Sequence, residues 1–198
     1  MKKPLLLAFL CAAALPVFAA DNLINNGDFE NDTKLSKSGL PRGLRMWFDL
    51  PEPPGLIQLS QDEKVSGNNS ILIERTGPEG ALSLSFPPVQ VEPGRKYRFS
   101  CMVKLTDGVM DITFSRLDNG NQHINRPFDD AQTTTEGAKI TNQGVSLPFN
   151  AIANPNDFTK LDLTFSIPDG VYFLALSARF NKAAGKAWVD DFELVPED

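Results

Sequence analysis

The chain reads as an all-β protein, two antiparallel sheets packed as a sandwich, on three observations. Short runs of alternating apolar and polar residues recur along its length. Gly, Pro, Asn and Asp punctuate those runs, and evidence for helices is weak throughout. The runs come in order. Leu23–Asn26 opens the set, followed by Leu56–Ser60 and the isoleucine- and leucine-rich Ser70–Arg75. Leu82–Val91 comes next, and Lys96–Leu105 then sets Tyr97, Phe99, Cys101 and Val103 on one face against Arg98, Ser100 and Lys104 on the other. Met110–Leu117, Phe158–Ile167, Val171–Phe180 and Ala187–Val195 complete about nine strands, a number suited to two packed sheets. Glu92-Pro93-Gly94, Thr106-Asp107-Gly108 and Pro168-Asp169-Gly170 supply residues that tolerate tight turns. Fourteen Phe against two Tyr suit a core built on phenylalanine more than a surface of aromatic platforms.

Two stretches break the rhythm. Ser36–Gly55 holds Pro41, Pro51, Pro53 and Pro54 around Met46-Trp47-Phe48, and Asn119–Asp157 is long, polar and rich in Asn, Gln, Thr and Asp. A loop of that length in a compact domain is often functional, with disorder as the competing reading.

Residues 1–19 have the form of an export signal. Lys2 and Lys3 precede an apolar Leu5–Leu15, and Val17-Phe18-Ala19 is a small-residue cleavage site. The apolar run is too short to span a bilayer. Its compact charged end is of bacterial type, which implies a secreted, periplasmic or cell-surface protein. Residues 20–198 then form one domain, large enough for a sizeable core and expected to be a monomer. The formal charge of −6 falls to −8 without Lys2 and Lys3, and an isoelectric point near 4.9 argues against nucleic acid or anionic lipid as partners. Cys101 is the one cysteine of residues 20–198, so no internal disulfide forms, and its place on a strand reads as a small buried apolar residue.

The two ends of the domain carry a resemblance. Asn22-Leu23-Ile24-Asn25-Asn26-Gly27-Asp28-Phe29-Glu30 and Ala187-Trp188-Val189-Asp190-Asp191-Phe192-Glu193-Leu194-Val195 both combine strand formers with carboxylates. Between them stand Val65-Ser66-Gly67-Asn68-Asn69-Ser70, then Val91-Glu92-Pro93-Gly94-Arg95-Lys96-Tyr97, then Asp157-Phe158-Thr159-Lys160-Leu161. In this order the segments resemble the secreted carbohydrate-binding modules of the family 4, 9 and 22 group. That resemblance implies a jelly-roll topology of the galactose-binding-domain-like kind, a polysaccharide or glycan as partner, and a structural calcium ion (Ca2+). The calcium ligands it implies are the carbonyl near Gly27, the side chains of Glu30 and Asp190, and Glu63 in a more loosely aligned loop. Strand alternation places Asp190 on an apolar face with Trp188, Phe192 and Leu194, where a carboxylate needs a partner.

Such modules stack sugar rings on aromatics and bind the hydroxyls with polar side chains. Alternation sets Arg98, Ser100 and Lys104, Thr113 and Ser115, and Ser177 and Arg179 opposite the core, all without an aromatic. The candidate rings are therefore Trp47, Phe48 and Phe128 in the two irregular stretches, with Arg98 and Arg179 as hydrogen-bond donors. Trp47 reads equally as a core residue. Catalysis has little to stand on. His123 is the single histidine, and nucleophile elbow, zinc spacing and phosphate loop are missing. Asp129-Asp130 and Asp190-Asp191 are neighbours on strands or loops and do not by themselves form an acid pair. The expectation is non-catalytic glycan binding. A cell-surface structural or interaction domain on the same fold is the first alternative, and a small polysaccharide-cleaving enzyme the second.

Overall fold

The computed structural model describes residues 21–31, 35–36, 39–181 and 183–197. The export-signal reading of residues 1–19 lies outside the described residues. Twelve strands run in the order β1 (Arg45–Phe48), β2 (Gly55–Ser60), β3 (Ser70–Arg75), β4 (Ala81–Ser85), β5 (Val89–Gln90) and β6 (Lys96–Leu105). There follow β7 (Val109–Leu117), β8 (Lys139–Thr141), β9 (Gly144–Pro148), β10 (Thr159–Ser166), β11 (Phe173–Asn181) and β12 (Gly185–Pro196). A single 3-10 turn, Phe149–Ala151, is the one helical element among the described residues.

All strand pairs are antiparallel, and they build two sheets. One has the order β1-β4-β11-β7-β9-β8 with β5 also paired to β11; the other has the order β10-β6-β12-β3-β2. Residues one face apart divide cleanly. Leu82, Leu84, Ile112, Phe114, Leu176 and Phe180 turn inward from the first sheet, and Ile71, Ile73, Phe99, Cys101, Val103 and Phe165 from the second. The core is a chain of phenylalanine rings. Phe29, Phe86 and Phe192 meet at one end, Phe99 and Phe114 at the centre and Phe128 with Phe165 at the other, with centroids 4.3–6.3 Å apart.

Four local outcomes differ from the sequence reading. Leu23–Asn26 is not a strand; the segment turns, with positive φ at Asn26 and Phe29. It still lies along β12, because the Asn22 side chain brackets that strand, donating to the Phe192 carbonyl and accepting from the Leu194 amide. The single run Leu82–Val91 is cut into β4 and β5 by Pro87 and Pro88, which have no amide to give a ladder. Strand β1 and the β8-β9 hairpin arise inside the two stretches that had no strand rhythm.

The fourth difference is a bulge in β12. Register against β6 shifts between Asp190 and Glu193, and Asp191 sits at φ 49°. Before the bulge Ala187 and Val189 point into the core; after it Phe192 and Leu194 do. Asp190 therefore does not share their face. It points out of the sandwich with Trp188 and is buried there by the loop before β3.

Candidate functional site

The seven-stranded sheet turns a polar face to solvent. One cross-strand row on it reads Trp47, Ser83, Arg179, Asp111, Ser146, Lys139, one residue from each of six adjacent strands. At about 4.8 Å per strand step the row spans roughly 24 Å. A second row beside it reads Arg45, Ser85, Ser177, Thr113, Gly144, Thr141. Trp47 is 50% exposed, because its neighbours across the ladder are small: serines on β4 cannot cover an indole. The Ser85 and Ser177 hydroxyls stand 3.1 Å apart and line the floor between the two arginines.

The charges on this face are unevenly satisfied. Asp111 accepts from Asn181 Nδ2 at 2.7 Å, and Asp49 accepts the Ala81 amide at 2.7 Å. Arg179 meets Asp49 through Nη2 alone, at 3.7 Å, and its Nε is buried without a hydrogen-bond partner. Below them Arg75, 2% exposed, donates to the carbonyls of Glu79, Gly80 and Ala183 and ties the turns on either side of Arg179 together. Burial pushes its pKa down, partly offset by Asp49, and the nearby Arg179 adds to the depression.

The expected binding residues separate. Trp47 and Arg179 fall in one row on this face. Phe48, adjacent to Trp47 on β1, points the other way and packs against the core. Phe128 is corrected outright as a surface ring. It is 6% exposed, packed edge-on to Phe114 and tilted against Phe165, and covered by the Arg116 guanidinium at 4.7 Å. Arg98 lies on β6 in the other sheet, paired with Glu193 at 3.4 Å. Arg45, Asp111 and the half-buried Phe173 on the Trp47 face were not singled out from the sequence. Alternation along Val171–Phe180 already sets Phe173 with Ser177 and Arg179, so that signal was present.

Two concavities lie elsewhere on the sandwich. One of about 790 Å³ lies over β10 and is lined by Arg98, Phe158, Lys160 and Asp162. Its Asp162 carboxylate is taken up by the hydroxyls of Thr133, Thr134 and Thr135, while Glu136 and Asp157 also line it. The other, about 620 Å³, opens at the sandwich end between Leu23, Leu44, Phe86 and Leu174.

The expected calcium ligands gather around the loop before β3. Glu30 Oε1 accepts the amides of Asn68 and Asn69, both at 2.8 Å, and the first of these bonds leads in holding its pKa low. Asp190 Oδ2 accepts the amides of Val65 and Ser66 at 2.9 and 3.4 Å. A Cβ at Gly67 would overlap the Glu30 carboxyl, so glycine there lets the contact form. Glu63 instead turns to Lys104 Nζ at 2.8 Å, and the Gly27 carbonyl accepts the Phe192 amide. Among the described residues no three His, Cys, Asp or Glu side chains converge to hold a metal. Asp190 nonetheless fits a cation in charge. It is fully buried with no ion-pair partner among the described residues, and desolvation pushes its pKa up despite its amide bonds.

No curated protein matches the chain in sequence. Among solved structures, the enzymatically active domain of tailspike protein 4 from bacteriophage CBA120 superposes with a TM-score of 0.62 at 14% identity. It covers 89% of this chain, but this chain spans 21% of that one. A family 61 module in complex with β-1,4-galactotriose gives 0.55 at 15% identity, covering 90% of this chain and 100% of its own. The CBM22-1 xylan-binding domain of Paenibacillus barcinonensis Xyn10C gives 0.50 at 15%, covering 90% and 96%. At these identities the likeness is one of fold, the β-sandwich of carbohydrate-binding modules. The family model described as "Carbohydrate binding domain" matches residues 21–175, and the chain belongs to that family of carbohydrate-binding modules.

Proposed function

We propose that this protein binds a polysaccharide or glycan, without catalysis, on the outward face of the seven-stranded sheet. One observation carries the assignment: a half-exposed Trp47 opens a row of hydroxyl, guanidinium and carboxylate side chains spanning six strands. An indole offers a flat apolar face to a pyranose ring, and Arg179 with Asp111 offers a donor and an acceptor for its hydroxyls. The protein works as a monomer, secreted, periplasmic or held at the cell surface after loss of residues 1–19. The solved neighbours bound to β-1,4-galactotriose or named as xylan-binding support glycan as the ligand class. Among the described residues no helix is long and apolar enough to cross a membrane.

Structural calcium belongs to the same proposal. Glu30 and Asp190 would hold it, with the Gly27 carbonyl, which keeps a second lone pair. The ion would supply the positive charge that buried Asp190 lacks. Glu63 is left out, being paired to Lys104.

Trp47→Ala is the test of the site. Trp188 is 8% exposed, so indole fluorescence responding to added glycan reports on Trp47. The expected result is loss of glycan binding and of that response, with the melting temperature within a few degrees of wild type. Retained binding would remove this face from consideration.

A further inference from the structure

The Trp47 face offers more unsatisfied positive charge than negative. Arg45, Arg179 and Lys139 stand on it against Asp49 and Asp111. Both carboxylates have short hydrogen bonds of their own, at 2.7 Å each. The cations do not. Arg45 is exposed with no ion-pair partner among the described residues, and Arg179 has one nitrogen at 3.7 Å from Asp49 and an Nε buried with no acceptor. The Arg179 side chain is 42% exposed, so an arriving acceptor reaches its guanidinium without displacing a short hydrogen bond. Arg75 beneath Arg179 is a second positive charge, and its own donors already hold main-chain carbonyls.

The positions of the two exposed arginines set the shape of the acceptor. Arg45 and Arg179 lie in adjacent rows, two strands apart, and the residues between them are Ser83, Ser85 and Ser177. Two strand steps and one row correspond to about 12 Å between their backbones, which two extended guanidinium side chains can bridge onto one group. On β1, Trp47 stands between Arg45 and Asp49. The result is a strip of serine hydroxyls with the ring and one forked donor on β1 and a second forked donor on β11. A guanidinium matches a carboxylate through two parallel hydrogen bonds, a geometry a neutral hydroxyl cannot reproduce.

Resting on the glycan reading above, we propose that this face selects a carboxylate-bearing sugar, a uronate unit within a polysaccharide, with Arg179 and Arg45 as the specificity-determining residues. The uronate ring stacks on Trp47 while its carboxylate takes the Arg179 fork. The surrounding net negative charge of the protein limits the attraction to this strip and makes it sensitive to salt.

The test compares three polymers by affinity electrophoresis and calorimetry: polygalacturonate, the same polymer with its carboxyl groups chemically reduced, and dextran sulfate. Wild-type protein is expected to bind the first well above the other two, and to weaken as salt rises from about 50 to about 500 mM. Arg179→Gln should lose about tenfold or more in affinity for polygalacturonate, Arg179→Lys less, and Arg45→Gln a smaller amount. Arg98→Gln, on the opposite sheet, should behave as wild type. Equal binding of the native and the reduced polymer overturns the carboxylate assignment and leaves glycan binding standing. Dextran sulfate binding as tightly as polygalacturonate overturns it in favour of unspecific charge. Binding of no glycan at all, neutral or acidic, by protein that melts cooperatively overturns the glycan reading itself.

Discussion

Cys101 and Phe128 both end in the core, one from a patterned strand and one from a stretch with no pattern. Cys101 follows strand parity: it sits at 1% exposure between Phe99 and Val103, and burial pushes its thiol pKa well above the ordinary range. A thiol reagent should therefore label native protein only as fast as the domain opens, while unfolded protein reacts at once. Fast labelling of the native state would place the sulfur at the surface. Cys101→Ala should cost about 1–2 kcal/mol through lost packing. Phe128 lies in a long polar stretch with no period to place it, yet it is drawn into the core beside Phe114 and Phe165. Burying a ring is worth more than leaving it on a polar loop, and the loop bends to allow it. Trp47 shows the converse. Its exposure follows from the serines that β4 happens to place beside it, which no local pattern around residue 47 announces.

At the scale of elements, the part of the stretch from Asn119 to Asp157 that runs over residues 128–135 is a strap. After Phe128 anchors it, Gln132 exchanges both backbone hydrogen bonds with Thr164, so the chain extends the β10 edge of the five-stranded sheet. Two carboxylates pin it. Asp130 accepts the Ser166 hydroxyl and amide, and Asp162 the hydroxyls of Thr133, Thr134 and Thr135. Hydrogen bonding from the Ser166 hydroxyl leads in holding Asp130 below its ordinary 3.8. At Asp162 burial opposes the charge but the threonines outweigh it, and that carboxyl is also held low. Between the lowered folded value and 3.8 the unfolded chain binds more protons, so stability rises with pH through that window. It is fully present above 3.8 and lost as pH falls through the folded values. Melting temperatures followed from about pH 5 to about pH 3 should fall less steeply for Asp162→Asn than for wild type. Parallel curves would show that the strap carries none of the acid sensitivity. The bulge at Asp191 is the other element-scale event, since one extra residue in β12 moves Asp190 from the expected core face to the loop before β3.

Over the whole molecule, Glu30 from the start of the domain and Asp190 from its last strand close on one loop, Val65–Asn69. A cation between them would tie three distant parts of the chain together. Calcium in millimolar amounts is accordingly expected to raise the melting temperature over that in chelator. A ligand specific to the folded state contributes about 2.7 kcal/mol at a hundred times its Kd. Asp190→Asn should abolish the calcium-dependent shift while Glu63→Gln keeps it, because Glu63 is held by Lys104. Coincident melting curves with and without calcium would leave the amide contacts as the whole function of these carboxylates.

The alternation within β3, β6, β7, β10 and β11, the phenylalanine core and the family were legible in residue order, because a period of two is a local property of the backbone. So was the buried thiol. What local order could not contain were facts settled by residues far apart: which ring stays uncovered, which arginine has its carboxylate, and which side of a bulge an aspartate falls on. Trp47 and Arg179 share a row because β1 and β11 both pair with β4, and Arg98 is excluded from it because β6 belongs to the other sheet. Periodicity assigns a residue to one of two faces. Only the pairing of strands decides which residues from separate parts of the chain meet on that face, since those contacts form between strands brought together by burial of the shared core.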